Sequence, residues 1–360
     1  MYSPFRYAQH AIWKHRPVQL TFFVTRRCNA SCPFCFYLQA QEPSPSERPE
    51  LALGEIEKMV PSLGRLLWVA FSGGEVYLRD DIVDISRAFY AHSRPAILLF
   101  PTNGLMPETI KDKTEEILRG CPRSVVAVKL SMDGLYGEHD SLRGVPGAFD
   151  KMMATCDMLG GLAERYPNLE LGINTVFCSA NEDRVGDILA FTKGLSHIRT
   201  HTLSMVRGQL SDESYKDVDL RKYHEAVTAM EAEMKTCRKD RYRFLGARLK
   251  SAQDILQRRL IHQTLCEKKR LLPCYAGRLN LVVTESGDVY PCEVLNARMG
   301  NVREHGYDIR KLLRSGQAAA TVARIQAREC YCSHECNFIT NILFNPVMYP
   351  ALLREYARLK

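Results

Sequence analysis

Residues 28–35 read Cys28-Asn-Ala-Ser-Cys32-Pro-Phe-Cys35 and come shortly after an apolar, β-branched run, Leu20 to Thr25. This junction predicts a strand that leads into a loop. Three thiolates on one short loop can bind three irons of a [4Fe–4S] cube and leave the fourth iron open to another ligand. The aromatic side chains of Phe34, Phe36 and Tyr37 would shield such a cluster from water. The spacing alone leaves two other interpretations open, a zinc loop that lacks its fourth ligand and three unrelated thiols.

The composition is that of a globular protein that is rich in cysteine. The chain has 360 residues, of which 46% are hydrophobic and 25% charged, and 49 Lys and Arg against 41 Asp and Glu give a net charge of +8. Because this excess is small and no basic run reaches five residues, we expect no nucleic-acid partner. Residues 1–16 contain no long apolar stretch, so neither a signal peptide nor a membrane span is predicted. We therefore expect a cytoplasmic location, where the medium is reducing. In that setting the thirteen cysteines favour metal ligation over disulfides.

Apolar runs and amphipathic segments alternate between residues 18 and 208. The predicted strands are 18–25, 67–72, 96–100, 124–131, 169–177 and 200–206. The predicted helices between them are 51–63, 80–92, 109–118, 149–160 and 184–195. Such alternation indicates βαβ units with a parallel sheet, and six units fall short of the roughly 250 residues of a complete eightfold barrel. The predicted fold class is therefore α/β, an open, partial (β/α)6 TIM-like barrel with a small cysteine-rich α+β extension at its C-terminus.

The remaining segments suggest a division of the chain into five parts. They are a lead-in (1–17), the barrel (18–217), a charged helical linker of one or two helices (218–269), the cysteine-rich extension (270–340) and a helical tail (341–360). Within the extension, the apolar run 279–284 and the turn residues that follow it predict a β-hairpin. The Pro/Ser/Glu-rich segment 39–50 is predicted to be a loop.

Short polar and glycine-rich motifs lie where the predicted strands end. They are Gly73-Gly74-Glu75, Thr102-Asn103-Gly104, Ser131-Met132-Asp133-Gly134 and, within the fifth strand, Asn174. In parallel α/β folds the functional sites lie at the C-terminal ends of the strands, so the positions of these motifs support the predicted fold. A double glycine after a strand is most often a turn, although it also lets the backbone approach a ligand closely.

The cysteine loop, the preceding Thr25-Arg-Arg and these strand-end motifs resemble the radical S-adenosylmethionine (radical SAM) superfamily. The resemblance implies that a [4Fe–4S] cluster on Cys28, Cys32 and Cys35 binds SAM through its amino and carboxylate groups. It also implies contacts to SAM from four places in the chain: Gly73-Gly74-Glu75, Ser131, Arg143 and Asn174. A structural salt bridge or a surface charge explains Arg143 equally well, and a plain turn explains Thr102-Asn103-Gly104 equally well.

A second group of cysteines lies in the last quarter of the chain, and its members are Cys274, Cys292, Cys330, Cys332 and Cys336. The first two flank Gly287 in a C-x12-G-x4-C pattern, which resembles the opening of the SPASM extension of some radical SAM enzymes. The small number of cysteines resembles the truncated form of that extension, the twitch domain.

Five cysteines are enough for one auxiliary [4Fe–4S] cluster and too few for two clusters with four cysteines each. We expect Cys274, Cys292, Cys332 and Cys336 to be the ligands, with Cys330 or Cys266 as alternatives. A zinc site is the other open interpretation, because zinc also binds four thiolates. The remaining cysteines are expected to be small buried hydrophobic residues, and they are Cys121, Cys156, Cys178 and Cys237.

The resemblance implies an oxidoreductase that cleaves SAM reductively to a 5′-deoxyadenosyl radical, which removes a hydrogen atom from a substrate C–H bond. The auxiliary cluster would assist the oxidation, and a flavodoxin or ferredoxin would supply electrons. We expect the substrate to be a small polar metabolite, such as a sugar, aminocyclitol or nucleoside. The alternatives are maturation of a ribosomally synthesised peptide, modification of RNA and a non-enzymatic metal-binding scaffold. The sequence does not indicate a catalytic acid or base.

Overall fold

Six parallel strands form the barrel in the computed structural model, which describes residues 1–38, 48–236, 242–328 and 330–359. They are β1 (Gln19–Thr25), β2 (Trp68–Gly73), β3 (Ile97–Thr102), β4 (Val125–Ser131), β5 (Leu169–Phe177) and β6 (Thr200–Met205). Each strand pairs in parallel with the next along the chain. The predicted partial barrel is confirmed, and each strand lies within two residues of its predicted position. The predicted loop 39–50 and Cys237 lie largely or wholly outside the described residues.

Helices connect consecutive strands of the barrel. They are α1 (Leu53–Leu63), α2 (Ile82–His92), α3 (Pro107–Gly120), α4 (Gly137–Arg143), α5 (Ala148–Arg165) and α6 (Val185–Lys193). Helix α4 was not predicted, because seven residues are too few to show a helical period. Helix α5 continues past Gly160, where the sequence predicted its end. A Cβ at Gly160 would overlap the ring of His197, so this glycine lets the His197 side chain pack closely against the middle of α5 and does not end the helix.

The C-terminal region continues the barrel sheet. Strands β7 (Asn280–Val283), β8 (Asp288–Tyr290) and β9 (Gly300–Asn301) complete a nine-stranded sheet in the order β6-β5-β4-β3-β2-β1-β7-β8-β9. Strand β7 pairs in parallel with β1, whereas β7, β8 and β9 pair with one another in antiparallel fashion. The predicted hairpin is therefore confirmed, and Gly287 adopts the positive φ of 86° that its turn requires. The division of the chain into five parts stays a prediction.

Two long helices follow the barrel, and four shorter ones follow the hairpin. They are α7 (Leu220–Thr236), α8 (Ala247–Glu267), α9 (Ile309–Leu313), α10 (Gly316–Gln326), α11 (Glu335–Leu343) and α12 (Tyr349–Arg358). Side chains of α8, among them Asp254 and Arg258, face the interior of the barrel. In the lead-in, Pro4–Ala11 is a 3₁₀ helix whose Tyr7 is buried and donates a hydrogen bond to the Leu66 carbonyl before β2. None of the described helices is long and apolar enough to cross a membrane.

Candidate active site

The first cysteine group lies at the C-terminal edge of the sheet, directly after β1. The backbone N–H of Cys35 donates to the Cys32 carbonyl at 3.1 Å, which closes a turn, and the N–H of Leu38 donates to Cys35 Sγ at 3.4 Å. Cys28, Cys32 and Cys35 are partly exposed, and none of the described cysteines forms a disulfide. Three thiols on one folded loop match the donor set that a [4Fe–4S] cluster with an open iron needs.

The double glycine after β2 lies against the backbone that leads into this loop. The N–H of Gly74 donates to the Thr25 carbonyl at 2.8 Å, and the N–H of Glu75 donates to the Arg27 carbonyl at 2.9 Å. Gly73 has a φ of 116°, and a Cβ at Gly74 would overlap the Arg27 carbonyl. Both glycines are therefore required by close approach of two backbones, in addition to any contact with a ligand.

The Glu75 side chain connects β2 to the end of β3. Its buried carboxylate accepts hydrogen bonds from the Tyr77 N–H (3.2 Å), the Thr102 hydroxyl (2.9 Å) and the Asn103 N–H (2.8 Å). Burial raises the pKa of Glu75, and these donors oppose the rise. Glu75 thereby positions Asn103.

Asn103 reaches the cysteine loop itself. Its Nδ2 donates to Asn29 Oδ1 at 2.7 Å and lies 3.9 Å from Cys28 Sγ. From the sequence, this segment was explained equally well by a plain turn. The only indication in the sequence that Asn103 belongs to the site was its position directly after a predicted strand. The structure is needed to show that its side chain turns toward Cys28.

Arg143 belongs to a buried ion pair beside the second cysteine of the loop. Its Nη2 pairs with the fully buried Asp133, its Nη1 lies 3.5 Å from Cys32 Sγ, and its backbone carbonyl accepts from the Ser31 N–H at 3.0 Å. Burial raises the pKa of the Cys32 thiol, and the Arg143 guanidinium opposes that rise. Arg143 Nε is buried and has no partner among the described residues, so it remains available as a donor. The structural ion pair considered from the sequence is thus present, together with a contact to the cysteine loop.

The other two predicted SAM contacts are neighbours on adjacent strands. Ser131 ends β4 and pairs with Asn174 on β5. The Asn174 side-chain oxygen accepts a hydrogen bond from the Ser204 hydroxyl on β6 at 2.9 Å. The sheet therefore brings both residues to the same C-terminal edge as Gly73-Gly74-Glu75 and the cysteine loop.

A cavity of about 320 Å³ occupies the interior of the barrel. One wall is apolar and includes Trp68 and Leu99, whereas the opposite wall carries Asn174, Thr202 and Ser204. At the cysteine end the cavity is lined by residues that neighbour the two cysteine groups, namely Phe34 and Phe36 of the first loop and Glu293, His334 and Cys336 of the C-terminal region. An adjoining cleft of about 660 Å³ lies between Tyr37 of the first loop and the β7–β8 hairpin.

Four cysteines of the second group surround a separate small cavity of about 80 Å³, and they are Cys274, Cys292, Cys330 and Cys332. Arg270 Nη2 donates to Cys330 Sγ at 2.9 Å, and the N–H of Leu295 donates to Cys292 Sγ at 3.3 Å. The structure therefore brings together Cys330, which the sequence ranked as an alternative, with three of the expected ligands.

Cys336, which the sequence ranked among the expected ligands, lines the barrel cavity instead. Its ligand atom and those of Glu293 and His334 all lie within 4.8 Å of one another. Cys266 is exposed on α8, with its Sγ 3.5 Å from the His262 ring, and does not line the small cavity. Cys121, Cys156 and Cys178 are buried among apolar side chains, as the sequence predicted.

Two family profiles match the chain over the regions that carry these sites. The profile of the radical SAM superfamily matches residues 22–190, and that of the SPASM iron–sulfur cluster-binding domain matches residues 274–337. The chain belongs to the radical SAM superfamily. It is a radical SAM enzyme with a C-terminal SPASM domain, and its cofactors are a [4Fe–4S] cluster with SAM and an auxiliary iron–sulfur cluster.

Among characterised relatives, the AdoMet-dependent heme synthase of Methanosarcina barkeri is 27% identical over 81% of each chain. Two solved structures with bound S-adenosylmethionine share the fold. AnSMEcpe with bound AdoMet has a TM-score of 0.58 and 17% identity over 96% of both chains. Streptococcus suis SuiB bound to S-adenosylmethionine has a TM-score of 0.60 and 16% identity over 88% of this chain and 70% of its own.

Arg207, which the sequence analysis missed, connects the two halves of this radical SAM enzyme. It follows β6, its guanidinium lies 5.3 Å from the centre of the Phe36 ring, and it pairs with Glu293 at 3.0 Å and with Glu335 at 3.4 Å. One side chain thus contacts the SAM-cluster loop and two residues beside the SPASM cysteines. An arginine just past a strand end is a weak signal, because its two acidic partners lie 86 and 128 residues further along the chain.

Proposed function

We propose that this radical SAM enzyme oxidises a small hydroxyl- or amino-bearing metabolite, such as a sugar, aminocyclitol or nucleoside, by two electrons. The observation that carries the proposal is the barrel cavity, which is lined at one end by Phe34 and Phe36 of the first cysteine loop and by Cys336 beside the second cysteine group. A substrate in this cavity would lie beside the first cysteine loop and beside the segment that carries the second cysteine group. Its volume of about 320 Å³ suits a small molecule.

We assign Cys28, Cys32 and Cys35 as ligands of the first cluster. When bound, the cofactors supply hydrogen-atom abstraction from an unactivated C–H bond, with SAM cleaved to 5′-deoxyadenosine, and an acceptor for the second electron. Carbonyls of Gly73 and Gly74 would accept from the SAM ammonium, while Arg143 Nε and the Ser131 hydroxyl would donate to its carboxylate. Asn174 would contact the ribose. Phe34 and Phe36 exclude water from the cluster side of the cavity.

We assign Cys274, Cys292, Cys330 and Cys332 to the auxiliary cluster, because these four thiols surround one cavity. The Cys330→Ser variant is expected to hold about four fewer irons per chain than the wild-type protein, and the Cys336→Ser variant is expected to keep all of them. Anaerobic reconstitution followed by iron and sulfide analysis measures the difference. Iron lost from Cys336→Ser and retained in Cys330→Ser would reverse the assignment.

A tetrapyrrole is the second candidate substrate, because the heme synthase relative aligns with 81% of both chains. The sequence-based alternative, a ribosomally synthesised peptide, would occupy the wider cleft of about 660 Å³ beside Tyr37. A flavodoxin or ferredoxin as reductant and a cytoplasmic location remain parts of the proposal.

The substrate classes can be distinguished by testing which compound stimulates SAM cleavage and is itself converted to a product. Reconstituted protein, dithionite and SAM would be incubated with a hexosamine, an aminocyclitol, a nucleoside, an iron tetrapyrrole or a short peptide. We expect a polyhydroxylated compound to stimulate 5′-deoxyadenosine formation and to appear by mass spectrometry as a product two mass units lighter. If only the tetrapyrrole or only the peptide stimulated 5′-deoxyadenosine formation, that compound class would replace the small polar metabolite as the proposed substrate. If no 5′-deoxyadenosine formed with any reductant, the proposal that the protein is an enzyme would be refuted.

A further inference from the structure

The floor of the barrel cavity contains a lysine that reaches across a neighbouring strand. Lys129 on β4, Gly172 on β5 and Thr200 on β6 are consecutive partners across the sheet. Lys129 Nζ donates a hydrogen bond to the Thr200 hydroxyl, and a Cβ at Gly172 would overlap both atoms. The missing side chain at Gly172 therefore makes the room that the ammonium group occupies, which indicates a built arrangement rather than a chance contact.

Glu170 lies on the same strand as Gly172, two residues before it, and only one of its two carboxylate oxygens has a hydrogen-bond donor among the described residues. Its side chain lines the cavity, and the residue is 6% exposed. Oε1 accepts from the Arg243 N–H, whereas the buried Oε2 has no hydrogen-bond partner among the described residues. Since a buried carboxylate oxygen without a donor is unfavourable, this atom points to a donor supplied by a ligand.

The neighbouring charged residues already satisfy one another. Asp254 on α8 pairs with Lys250 and accepts a hydrogen bond from the Tyr242 hydroxyl at 2.8 Å. Asp254 therefore pairs directly with Lys250 and not with Lys129. Burial and the positive charge of Lys250 together lower the pKa of Lys129 to about 7, and the negative charges of Asp254 and Glu170 oppose this shift.

We propose that Lys129 and Glu170 form a subsite for the polar end of the substrate, a vicinal diol or amino alcohol. One hydroxyl or amine of the ligand donates to Glu170 Oε2, and its neighbouring oxygen accepts from Lys129 Nζ. Trp68 on the opposite wall packs against the C–H face of the ring. This inference rests on the proposed function, whose substrate class it specifies.

The position of the subsite also sets the orientation of the ligand. Glu170 lies four residues before Asn174 on β5, a separation of about 13 Å along the strand. A ligand anchored at Glu170 therefore extends toward the cysteine end and presents its far side there. The carbon that reacts is expected to be remote from the anchored diol or amino alcohol.

The test measures binding by the SAM-bound, anaerobic holoenzyme with radiolabelled myo-inositol, glucosamine and uridine as separate probes in equilibrium dialysis. We expect at least one probe to bind the wild-type protein, and the Lys129→Met and Glu170→Gln variants to bind it about tenfold or more weakly. Gly172→Ala should also weaken binding without removing a polar group, because its Cβ would overlap Lys129 Nζ and the Thr200 hydroxyl; since the Cβ would also crowd the Thr200 backbone oxygen, its effect counts only if the variant is folded. The matched controls Lys151→Met and Glu164→Gln, both exposed on α5, should bind as the wild-type protein does.

Iron content and thermal midpoint would verify that each variant is folded. Binding of none of the probes to the wild-type protein, or an affinity in all three cavity variants equal to that of the wild-type protein, would overturn the subsite. Dithionite-driven formation of 5′-deoxyadenosine is measured in parallel on the wild-type protein. Its absence would refute the proposed function, whereas its presence together with unaltered probe binding would refute the subsite alone.

Discussion

The Cys32→Ser variant is expected to form no 5′-deoxyadenosine from SAM and to hold about four irons per chain, where the wild-type protein holds about eight. Each thiolate of the first loop is assigned to one corner of the cluster, and a serine hydroxyl stays protonated at neutral pH. Cys32 is also the thiol that lies 3.5 Å from Arg143, so its loss removes a partner of that guanidinium. Anaerobic iron analysis and chromatographic detection of 5′-deoxyadenosine measure both effects.

Cys156→Ala is the matched control, because Cys156 is buried in α5 among apolar side chains and lies outside both cysteine groups. It should retain the full iron content and SAM cleavage. A Cys32→Ser protein that still cleaved SAM at a rate near that of the wild-type protein would exclude Cys32 as a ligand.

The Asp133→Asn variant is expected to lower the thermal midpoint of the anaerobic holoenzyme by roughly 4–7 °C, because removing one partner of a buried ion pair costs about 3–5 kcal/mol. Asp133 is fully buried, pairs with Arg143 and accepts a hydrogen bond from the Val176 N–H at 2.7 Å. Asparagine retains an acceptor for Val176 but leaves the guanidinium without its counter-charge. Scanning calorimetry measures the shift.

A double-mutant cycle separates this ion pair from general damage to the fold. Combining Asp133→Asn with Arg143→Met should destabilise the protein less than the sum of the two single changes. Asp157→Asn, an exposed change on α5, should leave the midpoint within about a degree or two. Strict additivity of the two buried changes would show that the pair does not contribute as a unit.

The sequence predicted the barrel well because its strands are rich in apolar and β-branched residues, most of which are buried in the structure. The run 169–177 is strand β5 without a change of boundary. Helix boundaries were predicted less well where tertiary contacts decided them. Gly160 was expected to end a helix, yet close packing against His197 lets α5 continue to Arg165.

The candidate site was predictable where residue types alone carry the chemistry, as in Cys28, Cys32 and Cys35. It was not predictable where the partner is distant along the chain. Asn103 meets Cys28 only because β3 ends at the same edge of the sheet as β1, with β2 between them, and Lys129 reaches Thr200 only because Gly172 stands between them. The choice between Cys330 and Cys336 likewise depends on which side chain turns toward which cavity.

The pairing of β7 with β1 has a consequence for electron transfer. The strand that leads into Cys28 and the strand that lies between Cys274 and Cys292 are held in a fixed register by main-chain hydrogen bonds. We therefore expect the backbone to fix the separation of the two proposed cluster sites. A protein cut before β7 would leave β1 as an open sheet edge, so the barrel expressed alone is expected to associate through that edge.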